Sequence, residues 1–360
     1  MKYKILFFIS ITFLLLSGES CKKSFLDVPA QGQIDEAAVL KDPAAAQNLV
    51  TGVYNSLYLG GFGITTVGFQ YFVAVDEASD DADPGSVTGD NSSGEKIDTF
   101  NITPNIFFFD NFWKGYYTGI NEANKATDIL NKATFDASTV ARLKGEVTFL
   151  RGMYYFNLVR LFGGVPKITT VPGVDDFNSD SLVTRVSSGE IYNQVISDLQ
   201  YAVDNLPLKG DANTQVGRAN KGAAESFLAK VYMYQKNWQK VYDLTSDVIN
   251  SNLYSLVTDN GDTLTDYNSI FREKPTGGVG GNNNSESVFE VQTGVNVGEN
   301  AVSPLYSNGQ GARGKGGWND LGFGWNNPSA DLVNAYESGD TREAGTIIFI
   351  QPTVNPGGPG

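Results

Sequence analysis

The chain of 360 residues has no histidine and a single cysteine, Cys21. Lack of histidine removes the commonest general base, the Ser-His-Asp and Cys-His nucleophile arrangements and most transition-metal sites, so catalysis would have to rest on carboxylates, lysine or tyrosine. One cysteine excludes an intramolecular disulfide, and its place in the chain calls for another chemistry. Basic residues are scarce: 26 Lys plus Arg stand against 40 Asp plus Glu, a net charge of −14. So acidic a surface repels phosphate backbones, which excludes nucleic acid as the expected partner. The apolar stretch from Ile5 to Leu16 is shorter than the roughly 20 residues a membrane-spanning helix needs. Hydrophobic residues at 41% and aromatic residues at 12% are plentiful, and wholesale disorder is excluded.

Lys2 and Lys4 precede that short apolar stretch, and Cys21 follows it. This is the layout of a secretory signal of the bacterial lipoprotein type, in which the cysteine is lipidated and becomes the first mature residue. Ser20 suits the position before the cysteine, whereas Gly18 and Glu19 depart from the usual cleavage box. Each buried acyl methylene contributes about 0.8 kcal/mol, so more than one chain anchors stably. Residues 1–20 are thus expected to be the signal peptide and 21–41 a lipid-anchored tether.

The strongest helical pattern runs from Ala141 to Phe162. Leu143, Val147, Leu150, Tyr154, Leu158 and Leu161 form one stripe, and Phe149, Met153, Phe156 and Val159 form a second. Two apolar faces predict an interior helix packed on both sides. Gly163-Gly164-Val165-Pro166 ends it. Pro43 to Tyr58 reads as the first mature helix, with Asp42 as its cap. Tyr116 to Lys132 reads as a helix led in by Asn111 to Lys114. Ser187 and Glu190 form a capping box before a helix through Leu206. Gly217 to Tyr234 and Trp238 to Ser251 read as an antiparallel hairpin, since the turn at Lys236-Asn237 leaves no room for anything else. Gly222, Ala223 and Ala224 are small enough to accept large neighbours, the logic of tetratricopeptide repeats. The fold expected is mostly α: a short α-solenoid of helical hairpins over 42–251, then a loop-rich, irregular part over 252–360 with one strand-like run, Ser287 to Gln292.

Several of these segments resemble one family. The run LRGMYYFNLVRLFGGVP, Leu150 to Pro166, is similar to the signature helix of SusD/RagB proteins, the surface lipoproteins of Bacteroidetes nutrient-uptake systems. Phe25-Leu26-Asp27-Val28-Pro29 resembles their tether. The set Trp113, Tyr116, Ile120, Ala123 and Asn124, the line from Ile191 to Pro207, and Trp325, Pro328, Leu332, Tyr336, Asp340 and Arg342 resemble further family motifs in the family's order. Family members continue past this last motif, so the chain resembles a C-terminally shortened member. Residues 22–360 alone are then expected to expose apolar surface and to be marginally stable.

The resemblance implies a non-catalytic lipoprotein of the outer membrane that captures oligosaccharides and hands them to a TonB-dependent, SusC-like transporter. Lys22-Lys23 stand where an acidic export signal is usual, so the outer-membrane expectation is firmer than the outward-facing one. A RagB-like capture of peptides and a scaffold of the tetratricopeptide type are the alternatives. Glycoside hydrolysis would need two carboxylates set across a cleft, and the acidic residues here cluster in one loop or lie on helix faces.

Most aromatic residues sit at core positions of helices, Trp113 among them. Those left over lie in loops: Phe69 and Tyr71, with Asp90 and Asn91, around the acidic loop within Gly60 to Thr103, and Tyr306, Trp318 and Asn319 in the late Gly/Asn-rich segment. Flat rings stack on sugars, and Asn and Asp hydrogen-bond their hydroxyls. Both regions correspond broadly to the family's ligand loops. No cofactor is expected. Calcium ligation by the acidic loop is a minor reading, because Asp81-x-Asp83-x-Gly85 lacks the third oxygen ligand an EF-hand places before its glycine.

Overall fold

The computed structural model describes residues 36–58, 68–212, 214–258, 266–272, 280–292, 306–313 and 321–349. The signal segment, Cys21 and the expected tether as far as residue 35 lie outside these residues, whereas residues 36–41, read as tether, carry a short helix whose Val39 is buried in the core. Among the described residues no helix is long and apolar enough to cross a membrane.

The helical array comprises α1 (Glu36–Val39), α2 (Pro43–Asn55), α3 (Phe69–Asp76), α4 (Ser92–Asp98), α5 (Phe107–Lys132), α6 (Ala137–Phe162), α7 (Ser188–Asn205), α8 (Lys221–Tyr234) and α9 (Trp238–Asn250). α6 is its axis. Asp136 caps it by accepting from the Thr139 amide at 2.9 Å, and every residue from Gly145 to Val159 is buried. The expected two-sided packing is met by α5 and α7, and α2 adds a third contact. α6 stops where Gly163 takes a φ of +71°, a region L-residues disfavour. A Cβ at the next residue, Gly164, would fall 2.1 Å from the Val186 carbonyl oxygen. That segment is itself held by the Val186 amide donating to the Val165 carbonyl at 3.1 Å. Gly164→Ala is therefore expected to destabilise the protein by about 1–3 kcal/mol through overpacking against backbone, measured by urea unfolding.

Two buried ionic groups lock the array. The Arg151 guanidinium of α6 donates to both carboxylate oxygens of Asp198 on α7, at 2.9 and 2.6 Å, and to Asn124 Oδ1 on α5 at 2.9 Å. Glu146 accepts from Arg142 at 2.6 Å and from Arg218 at 2.9 Å, tying α6 to the segment before α8. Burial raises the Glu146 pKa, and the two arginines oppose that shift.

Several boundaries differ from the sequence reading. α5 starts at Phe107 rather than Tyr116, because Phe108 and Phe112 continue the buried stripe of Tyr116 and Ile120 upstream. α3 and α4 form inside the stretch expected to be an unpatterned loop. α8 begins at Lys221, since Gly217 has φ +83° and Asn220 caps the helix by accepting from the Ala223 amide at 3.0 Å. Gly222 does admit a large neighbour, but from beyond the expected partner helix: a Cβ there would lie 2.4 Å from the hydroxyl of Tyr254, which follows α9. The run Ser287 to Gln292 is irregular, not a strand. Val288, Phe289 and Val291 instead press on the core, and Asn220 Nδ2 and Lys209 Nζ hold the Val288 and Ser287 carbonyls at 3.1 and 2.8 Å.

Later elements are short: α10 (Asp266–Ile270), α11 (Tyr306–Gln310), α12 (Ala330–Ala335) and α13 (Arg342–Thr346). A two-stranded antiparallel ladder pairs β1 (Ala82–Asp83) with β2 (Asn327–Pro328).

Candidate functional site

That ladder joins the two regions singled out in the sequence. Ala82 faces Pro328 and Asp83 faces Asn327. Beside it the Ser329 amide donates to the Asp81 carbonyl at 2.9 Å, and Asn326 Nδ2 donates to Asp76 Oδ2 at 2.9 Å. Gly85, with φ +66°, lets the chains meet, since a Cβ there would sit 2.1 Å from the Gly324 carbonyl oxygen.

Asp90 is the exposed hub of this junction. Its carboxylate accepts from Trp325 Nε1 at 2.9 Å, from Ser86 Oγ at 2.9 Å and from the Arg313 guanidinium. The Trp325 bond, then Ser86 and Arg313, hold its pKa below the usual carboxylate range. Four backbone bonds brace the late segment: the amides of Leu321, Phe323, Gly324 and Trp325 donate to the carbonyls of Ala312, Asn308, Gly311 and Gly309 at 2.6–2.9 Å. α11 packs on α3. The rings of Phe323 and Trp325 lie 5.6 Å apart, both partly buried, and Trp325 packs against the core.

Of the residues expected from sequence, Asp90 lies in the junction, and Phe69 and Tyr306 open the two helices, α3 and α11, that pack there. Trp318 and Asn319 lie outside the described residues. Tyr71 points elsewhere: its hydroxyl accepts from Arg160 at 2.7 Å and its ring packs edge-on against Phe112. Asn91 is a buried strut. It caps α4 by accepting from the Gly94 amide at 3.0 Å and donates to Glu77 Oε1 at 2.6 Å. Burial, the largest cause, pushes the Glu77 carboxyl up to about 8. Sequence reasoning did not single out Arg313, and it read Trp325 only as part of a motif. No local periodicity signals a bond from Trp325 to an aspartate 235 positions earlier.

A second concavity, of about 500 Å3, is floored by Phe109, Trp113 and Phe162 and rimmed by Ile102 and Arg185. Trp113 packs against Phe162 and Tyr117 with centroids about 5 Å apart, while the Arg185 guanidinium lies 5.2 Å above its ring. The expected core role holds for one face of Trp113, and the other borders this cleft.

These features define an α-solenoid of tetratricopeptide-like hairpins bearing a loop junction on one flank. Residues 36–233 match the model of the family SusD-like_3, described as starch-binding and associating with the outer membrane. The chain belongs to this SusD-like family. It is 26% identical over 98% of its length to SusD-like protein P2 of Formosa agariphila and 27% identical over 98% to a SusD-like protein of Bacteroides ovatus. It spans 65% and 60% of those two proteins. Among solved structures it resembles a laminarin-binding SusD-like protein, with 28% identity and a TM-score of 0.57, over 78% of this chain and 54% of that one.

Proposed function

We propose that the protein is a non-catalytic capture lipoprotein, anchored to the outer membrane through Cys21, that binds oligosaccharides and delivers them to a TonB-dependent transporter. The convergence of the acidic loop and the late Asn/aromatic segment at the Asp90–Trp325–Arg313 hub carries this reading. Hydroxyl-binding groups there stand beside partly accessible rings on a helical base, which is what sugar recognition needs. Membership of a family described as starch-binding, and the laminarin-binding relative, support the same class of ligand. Binding is favoured over hydrolysis because three donors converge on Asp90 Oδ2 and hold the carboxyl below the usual carboxylate range, which suits accepting a hydroxyl rather than giving up a proton.

Trp318, Asn319, Tyr306, Phe69 and Asp90 are the proposed contact or positioning residues, with Tyr71 and Asn91 supporting them from α3 and α4. The outward stripe of Trp238, Tyr242 and Ile249 on α9, each more than 60% exposed, offers the transporter an apolar face. Asp90→Ala is expected to weaken glycan binding about tenfold by releasing Arg313 and Trp325, while leaving the helical circular dichroism unchanged. Affinity electrophoresis in gels containing laminarin or starch reads the loss. Migration equal to that of the unaltered protein in a retarding gel would refute the role of the hub.

A further inference from the structure

Beneath the hub lies a group of oxygens that the helical array does not compensate. Glu77 is fully buried and Asn326 is 5% exposed. Glu77 Oε2 and Asn326 Oδ1 are both enclosed without a hydrogen-bond partner. The two side chains belong to one cluster: Asn326 Nδ2 is on Asp76, the residue preceding Glu77, and the Asn326 backbone amide faces the Glu77 carboxylate. The charges acting on Asp76 and Glu77 are all carboxylates, Asp81 on the first, Asp98 and Asp76 on the second. Gly94 leaves the room this requires, for a Cβ there would fall 2.1 Å from Glu77 Oε2.

A buried carboxylate without a counter-charge costs several kcal/mol, and an orphaned amide oxygen adds to it. Two carboxylates and an amide oxygen with no nitrogen or sulfur donor suit a hard divalent cation, and calcium tolerates such irregular oxygen sets better than magnesium does. Among the described residues no three His, Cys, Asp or Glu side chains gather to hold a metal, so the site depends on the amide oxygen that Asn326 brings from the other segment.

We propose that Asp76, Glu77 and Asn326 hold a calcium ion that fastens the acidic loop to the late segment. Water completes its shell, and the affinity is on the order of 10⁻⁴–10⁻³ M, typical of extracellular modules. Asn326, in the left-handed region at φ +53°, is then kept there by the ion it ligates. The site is independent of what the junction binds.

The test is a thermal melt of the chelator-treated full chain with 5 mM CaCl2, 5 mM MgCl2 or neither, repeated for Glu77→Gln and Asn326→Ala. Calcium is expected to raise the melting temperature of the unaltered protein by about 2–5 °C, magnesium by less, and neither ion to move Glu77→Gln. Glu77→Gln removes the uncompensated charge and so folds without the ion. An unchanged melting temperature of the unaltered protein in calcium, or a calcium shift in Glu77→Gln or Asn326→Ala as large as that of the unaltered protein, would overturn the proposal. In that case Glu77 carries a proton instead.

Discussion

Asp198→Ala is expected to lower the stability of the protein by about 3–5 kcal/mol, the cost of leaving one member of a buried pair without its partner. Arg151 is 7% exposed and Asp198 3%, so water cannot replace the lost oxygens. The guanidinium would keep only Asn124 and the Thr169 carbonyl, the latter at 3.3 Å. Because Arg151 joins α5, α6 and α7 at one point, the loss falls on the whole array rather than on one edge. Chemical denaturation reads it as a lower midpoint with an unchanged slope. A double change to well-packed apolar residues, such as Arg151→Met with Asp198→Leu, is expected to recover most of the loss, since desolvating the pair offsets much of its attraction.

Phe156→Ala is expected to cost about 3–5 kcal/mol, the range for deleting a fully buried ring. Phe156 has no exposed surface. It meets Phe227, Tyr234 and Tyr192 edge-on at 5.4, 5.2 and 6.4 Å, and the Arg160 guanidinium stands 4.6 Å from its centroid. Removing it opens a cavity where α6 meets α8, at the centre of the signature helix. Trp238→Ala makes the contrast. Its ring belongs to a residue 62% exposed, and a surface substitution of that kind changes stability by roughly 0.5 kcal/mol or less. Equal losses in the two variants would contradict the burial described.

The helical array was legible because its signals are local. Two apolar stripes over one stretch announced the buried axis α6, Ser187 and Glu190 announced the capping box, which forms with the Ser187 amide donating to Glu190 Oε2 at 3.1 Å, and the Lys236-Asn237 turn announced the last hairpin. Where the sequence misled, a distant contact decided. Ser287 to Gln292 alternates like a strand, but its partners are Lys209, Asn220 and the core rather than a neighbouring strand. α3 and α4 were hidden by the acidic and glycine residues around them, and only packing against the array and the late segment stabilises such short helices. Asp90 was singled out as a sugar contact for its place in a polar loop. Its grip on Trp325 and Arg313 depends on the chain closing on itself, which no spacing reports. Asn91 was chosen by the same reasoning, and an N-cap asparagine and a ligand asparagine look alike until the helix behind it is seen.

Isothermal titration of the folded chain against oligosaccharides, with a peptide panel beside it and Trp318→Ala as the paired variant, tests the central claim most directly. The account predicts saturable binding of at least one glucan, weakened about tenfold or more in the variant, and no heat from peptides. Silence of a folded protein towards every glycan, or peptide binding alone, would contradict it.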